Sequence, residues 1–109
     1  MVTGGFAPSV QGWLSPFGSK LSKPSEVKRH LPVTQAVHDE GGKICLQILH
    51  AGRYGYSPLC VSASNIKSPI SPFKPRALST KGVYRTIKNY ANSASLAQQA
   101  GYDLSLIHI

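Results

Sequence analysis

The chain has 109 residues, with twelve Lys+Arg against four Asp+Glu and a formal net charge of +8. That length suits one small domain, no apolar run is long enough to span a bilayer, and two cysteines make neither a disulfide framework nor a cysteine-built metal site. The charge excess raises nucleic acid or another polyanion as a partner, yet the basic residues are scattered and form no run with interleaved aromatics.

In chain order, Met1-Val2-Thr3-Gly4-Gly5 reads as the tail of a strand entering a glycine turn. Residues 6–24, rich in Gly, Pro and Ser, read as loop, with Trp13, Leu14 and Phe17 as its anchors or as a lid. Ser25–Glu40 is predicted to be a helix, because Val27, Leu31, Thr34 and Val37 recur at helical spacing and Gly41-Gly42 provides a stop. Pro32 either kinks this helix or marks its first turn. His38 reads as a packed or half-exposed helix residue, since no second ligand stands at helical spacing to it.

Lys43–Leu49 is predicted to be a strand, with Ile44, Leu46 and Ile48 on one face and Cys45, Gln47 and Leu49 on the other. A run apolar on both faces fits a buried parallel strand, where Cys45 is a small packed residue. Gln47 interrupts that pattern. A buried carboxamide needs partners for two donors and two acceptor lone pairs, so Gln47 is expected to hold something polar. A His50-Ala51-Gly52-Arg53 loop follows, then a Pro- and Ser-rich stretch to Leu78 whose length suggests a functional loop. Ser79 can cap the next helix, whose apolar stripe is Val83, Ile87, Tyr90, Ala94 and Ala97. Ala100-Gly101 ends it and Tyr102-Asp103 leads into a further strand. Strand, helix, strand, long loop, helix is the order of βα units on a parallel sheet.

Gly41-Gly42-Lys43-Ile44, Leu46-Gln47-Ile48-Leu49-His50, Gly52-Arg53-Tyr54 and Ala100-Gly101-Tyr102-Asp103 resemble the Old Yellow Enzyme family of flavin oxidoreductases. Within it, Thr3 to Pro8 ahead of Gly-Gly-Lys-Ile is most similar to the bacterial-type NADPH-dependent 2,4-dienoyl-CoA reductases. The resemblance implies an α/β fold, a partial (β/α)8 TIM barrel from about the end of strand 2 to helix 3, truncated at both ends, since a whole barrel takes about 250 residues. Residues 1–103 would be a piece of the FMN-binding barrel domain. Leu104 to Ile109 are what the transposon end CTGTCTCTTATACACATC used in library preparation would encode, so they are expected to be a non-native tail of translated adapter.

The resemblance assigns FMN contacts to Gln47, whose planar carboxamide matches the donor and acceptors of the flavin pyrimidine edge, and to Gly5, where the absence of a Cβ lets a ring approach the backbone. His50, Arg53 and Tyr54 would lie in a loop on the active face. No catalytic residue and no metal ligand is expected within the chain; FAD and a 4Fe-4S cluster would belong to a further C-terminal part. The implied activity is hydride transfer from reduced flavin, with electrons from NADPH, to a conjugated acyl-CoA in unsaturated fatty acid β-oxidation. One alternative is an FMN-only enoate reductase acting on enones. Another, of a different class, is a small basic nucleic-acid-binding protein, which predicts binding that weakens steeply with salt. From the scattered charge and the lack of a visible signal or spanning segment, neither nucleic acid nor membrane is expected as a partner, and a cytoplasmic or organelle-matrix location is expected. The resemblance further implies that this chain alone neither retains flavin nor turns over.

Overall fold

The computed structural model describes residues 1–15 and 17–108. Three strands, β1 (Val2–Phe6), β2 (Cys45–Leu49) and β5 (Leu104–His108), make a parallel sheet in the order β1-β2-β5. Helix α1 (Pro24–Asp39) connects β1 to β2, and α2 (Thr80–Gln99) leads from the long loop to β5. Two short strands inside that loop, β3 (Val61–Ser62) and β4 (Arg76–Ala77), pair in parallel. The result is a βαβαβ section of a partial (β/α)8 barrel, as the sequence implies.

Both helices lie over one face of the sheet. Ile44, Leu46 and Ile48 are fully buried there against Leu21, Val27, Leu96, Ala97 and Ala100. The small residues of α2 let its backbone come close to β2, and burial of this cluster is the main force holding the layers together. The predicted stripe is only half used. Tyr90, Ala94 and Ala97 pack on the core, whereas Val83 and Ile87 are exposed. The sheet lies under only the C-terminal half of α2.

Helix α1 begins one residue before its predicted start and continues past Pro32, which lies inside it. The Glu26 carboxylate accepts from the N–H groups of Ser22 and Lys23 at 3.2 and 3.0 Å and pairs with Lys20 at 3.1 Å, so the free N–H groups at the helix start are answered by a side chain. Burial raises the Glu26 carboxyl, but the Ser22 N–H, Lys20 and the Lys23 N–H outweigh it and hold it below its usual value. Gly41, at φ +74°, closes the helix in the left-handed region that glycine enters without strain.

The segment after Tyr102-Asp103 forms the further strand expected there. Leu104–His108, predicted as a tail beyond the last barrel residue, pairs with Cys45–Leu49 over five register positions. Both edges of β2 are therefore paired, one with β1 and the other with β5. Leu104 and Leu106 share the face of Cys45 and Gln47 and remain exposed on it.

Candidate functional site

The sheet face away from the helices would line the barrel interior, and Gln47 sits in its middle. Burial along β2 alternates, with Leu46 and Ile48 buried and Cys45, Gln47 and Leu49 half-buried on the other side. Gln47 is flanked in register by Gly5 on β1 and Leu106 on β5. Among the described residues no protein group bonds its carboxamide, although its backbone N–H donates to Thr3 Oγ1 at 3.2 Å. That side-chain acceptor stands where β1 bulges between Val2 and Gly5, an irregularity that brings Gly5 level with Gln47. A Cβ on Gly5 would lie 2.7 Å from Leu49 Cδ2. The bare backbone at Gly5 is thus already needed for Leu49 to pack, which sequence reasoning missed because the contact joins two strands.

The three loop residues are together just past β2. His50, Arg53 and Tyr54 line a cavity of about 420 Å³ with Leu14 and Leu49. Leu14 and Leu49 also wall a second space of about 210 Å³ reached by Gly5 and Gly12. The His50 ring lies so close over Gly12 that a Cβ there would be 2.8 Å from Cδ2. Nδ1 of His50 accepts from the Gly52 N–H at 3.0 Å, and the Ala51 N–H donates to the Gly12 carbonyl at 3.0 Å. Accepting at Nδ1 requires a ring without a proton there. Burial acts in the same direction and pushes the His50 pKa below its usual 6.5. The Tyr90 phenol, raised by its own burial, is hydrogen-bonded by the His50 backbone, which ties this loop to α2. Arg53 stacks 5.2 Å from the Tyr54 ring centroid and stays partly exposed, a cation beside the cavity.

Tyr102 and Asp103, residues of the recognised Ala-Gly-Tyr-Asp segment, turn out to be braces. The Tyr102 hydroxyl and His30 Nδ1 share a 2.7 Å hydrogen bond in the buried layer, with Phe6 edge-on to the His30 ring at 4.8 Å. Asp103 accepts from the Ile44 N–H and contacts His38 Nε2, both at 2.9 Å; these partners hold its carboxyl below the usual range. His38 is therefore a half-exposed helix residue in an ion-pair position. His30 had no signal in the sequence beyond a helical position, since its partner lies 72 residues away. Among the described residues no group of His, Cys, Asp or Glu is arranged to hold a metal, and no helix is long and apolar enough to cross a membrane.

Comparison with known proteins gives a consistent picture. The pattern of the NADH:flavin oxidoreductase / NADH oxidase family matches residues 1–109. The N,N-dimethylglycine/sarcosine dehydrogenase of Chromohalobacter salexigens is 29% identical over 98% of this chain and 17% of its own length. The NADPH dehydrogenase of Halalkalibacterium halodurans is 25% identical over 94% of this chain and 30% of its own length. The solved structure of the old yellow enzyme homologue from Zymomonas mobilis superposes with a TM-score of 0.89 at 29% identity, covering 98% of this chain and 34% of that one. The chain thus spans less than a third of the curated relatives named and about a third of the solved one.

Proposed function

Because the chain belongs to the NADH:flavin oxidoreductase / NADH oxidase family, we propose that it is a section of an FMN-dependent, NADPH-using reductase in which Gln47 and Gly5 face the cofactor. One observation carries this reading: Gly5 and Gln47 are register partners on the open sheet face, and among the described residues the Gln47 carboxamide has no protein partner. A polar amide in the middle of an apolar face fits a planar ligand edge that offers both a donor and acceptors.

In that arrangement the Gln47 amide orients the ring and stabilises charge at its pyrimidine end. Leu14 and Leu49 supply an apolar wall that excludes water, and Arg53 places a cation at the rim of the same cavity. FMN, when bound, supplies hydride transfer to an electron-poor alkene. The finer reading is an NADPH:2,4-dienoyl-CoA reductase, with FAD and a 4Fe-4S cluster on other parts of the polypeptide. It is supported by the motif around Thr3 to Pro8 and by a relative of which this chain spans only 17%, leaving room for further segments. A simpler FMN-only enoate reductase is the second reading, favoured by the 30% coverage of the NADPH dehydrogenase.

The test is a graft. This chain replaces the matching section of the Zymomonas mobilis homologue, and the purified hybrid is scored for yellow colour and NADPH oxidation with an enone. A yellow, active hybrid that loses about tenfold or more in FMN affinity on Gln47→Leu, the scale of one or two hydrogen bonds, supports the proposal. A folded hybrid that retains FMN equally well without the amide refutes it.

A further inference from the structure

Acidic side chains in this chain are confined mostly to one end of the strand axis, where Lys43 and the Met1 ammonium accompany them. Of its four acidic residues, Asp39, Glu40 and Asp103 stand where α1 ends and where β2 and β5 begin, and the fourth, Glu26, is paired with Lys20. The opposite end of the sheet, which carries His50 and its loop, presents Arg53, Arg76, Lys81 and Arg85. Such a one-sided placement of acidic groups draws anions towards the other end of the molecule.

Three of those cations meet in one place. A cavity of about 310 Å³ is lined by Gln11, Arg76, Leu78, Ser79, Lys81 and Arg85 among others, and no carboxylate lines it. Among the described residues none of the three cations is in an ion pair. Their positions are set by the fold. Arg76 belongs to β4, whose N–H donates to the Cys60 carbonyl at 3.1 Å, and Lys81 and Arg85 stand one turn apart on α2. Like charges brought together without a counter-charge repel, so the arrangement is stabilised by an anion between them. Gln11 adds a neutral amide, and the Ser79 hydroxyl, whose oxygen accepts from the Gly82 N–H at 3.1 Å, keeps its own hydrogen to donate. Gln11 also belongs to the turn whose Gly12 lies under the His50 ring, so the cavity opens on the same end as the candidate site.

We infer that this cavity is a subsite for the phosphate monoester on the adenosine portion of a nucleotide cosubstrate. The inference rests on the reductase reading for the kind of ligand, and on the three cations for the place. Two arginines and a lysine suit a dianionic phosphate, the arginines through paired N–H donors. The same chemistry occurs in the 2′-phosphate of NADPH and in the 3′-phosphate of an acyl-CoA.

The test is a titration of the 109-residue chain with 2′,5′-ADP, 3′,5′-ADP and 5′-AMP, followed by amide shifts of residues 76–85 in two-dimensional NMR. Saturable binding of at least one bisphosphate, about tenfold tighter than 5′-AMP, is expected from one added charge-assisted contact. Arg85→Glu should abolish that preference, whereas Lys88→Glu, further along α2 and outside the cavity lining, should leave it. Preference for 2′,5′-ADP assigns the subsite to NADPH, and preference for 3′,5′-ADP assigns it to CoA. No saturable shift, equal affinity for 5′-AMP or inorganic phosphate, or equal losses in the two charge-reversal variants overturns the inference. The grafted hybrid separates this from the flavin reading, because its yellow colour does not depend on the phosphate preference.

Discussion

Gly5 and Gln47 stand side by side in register across β1 and β2, one without a side chain and the other with a carboxamide that no group among the described residues engages, and Leu49 fills the space above the first. The bulge that follows Val2 makes this pairing possible, since an unbulged β1 would present Gly4 at that level. Within the chain, the missing Cβ at Gly5 is what makes room for Leu49.

The first prediction follows from that contact. Gly5→Ala places a Cβ 2.7 Å from Leu49 Cδ2, so the sheet must shift or Leu49 must leave its rotamer. Overpacking of this kind costs about 1–3 kcal/mol, read as a lower urea midpoint with an unchanged slope. Leu49→Ala added to Gly5→Ala should cost less than the sum of the single changes. Additive losses would show that the two residues do not compete for the same space.

Gln47→Leu should behave in the opposite way. Among the described residues its carboxamide bonds nothing in the protein, so removing it leaves no protein donor or acceptor unpaired. The isolated chain is expected to keep or slightly raise its urea midpoint, within about 0.5 kcal/mol of the parent. A loss several times larger would mean that the amide serves the fold and would weaken its assignment to a ligand.

Much of this arrangement was legible in the sequence, for reasons that can be named. The two faces of β2 follow from the period-two geometry of a strand over Ile44–Leu49, and a glutamine is conspicuous among apolar neighbours. Ser79 was readable as a cap because its role is local, and its Oγ does accept from the Gly82 N–H. Long-range pairings were not legible. Neither the His30–Tyr102 bond nor the fit of His50 over Gly12 leaves a periodic trace, because each joins residues from elements distant in the chain. Val83 and Ile87 misled because helical spacing reports a possible buried face, not how far the sheet beneath extends. That a strand follows Tyr102-Asp103 was legible, but the register of Leu104–His108 on β2 was not. A parallel strand is held by backbone bonds that any non-proline residue can make, so its side chains need carry little signal of the pairing.

The acid limb of stability should come in two stages. Burial lowers the pKa of both His50 and His30 below 6.5, so the unfolded chain binds these protons more readily than the folded one. Their contribution is fully present above 6.5 and is lost as pH falls from there through the folded values. Glu26 and Asp103 are also held below their ordinary 4.5 and 3.8, which adds a second loss at lower pH. His50→Asn, which keeps an acceptor for the Gly52 N–H, should flatten part of the first stage while preserving protection of the Gly52 amide. Urea midpoints from about pH 2 to about pH 8, a range that brackets both carboxylates and both imidazoles, with amide exchange at Gly52 read alongside, check both stages. An unchanged first stage in both His50→Asn and His30→Phe would show that these rings do not govern it.

The buried His30–Tyr102 pair gives the last test, because it separates a bond that stabilises from one that merely avoids a penalty. The two groups meet at 2.7 Å in a layer also occupied by Phe6, and both residues are at least nine-tenths buried. Tyr102→Phe removes the hydroxyl and leaves His30 Nδ1 facing an apolar ring, a penalty of about 1–3 kcal/mol. His30→Phe strands the hydroxyl in the same way. When both are changed, no polar atom is left unpaired and the rings still fill the space, so the double variant should be more stable than either single one. That recovery, measured as a coupling in a double-mutant cycle, would identify the pair as a matched set tying α1 to the segment that enters β5. If the double variant is instead the least stable of the three, the hydrogen bond itself contributes net stability, and the braces around Tyr102 and Asp103 hold the sheet more strongly than burial alone.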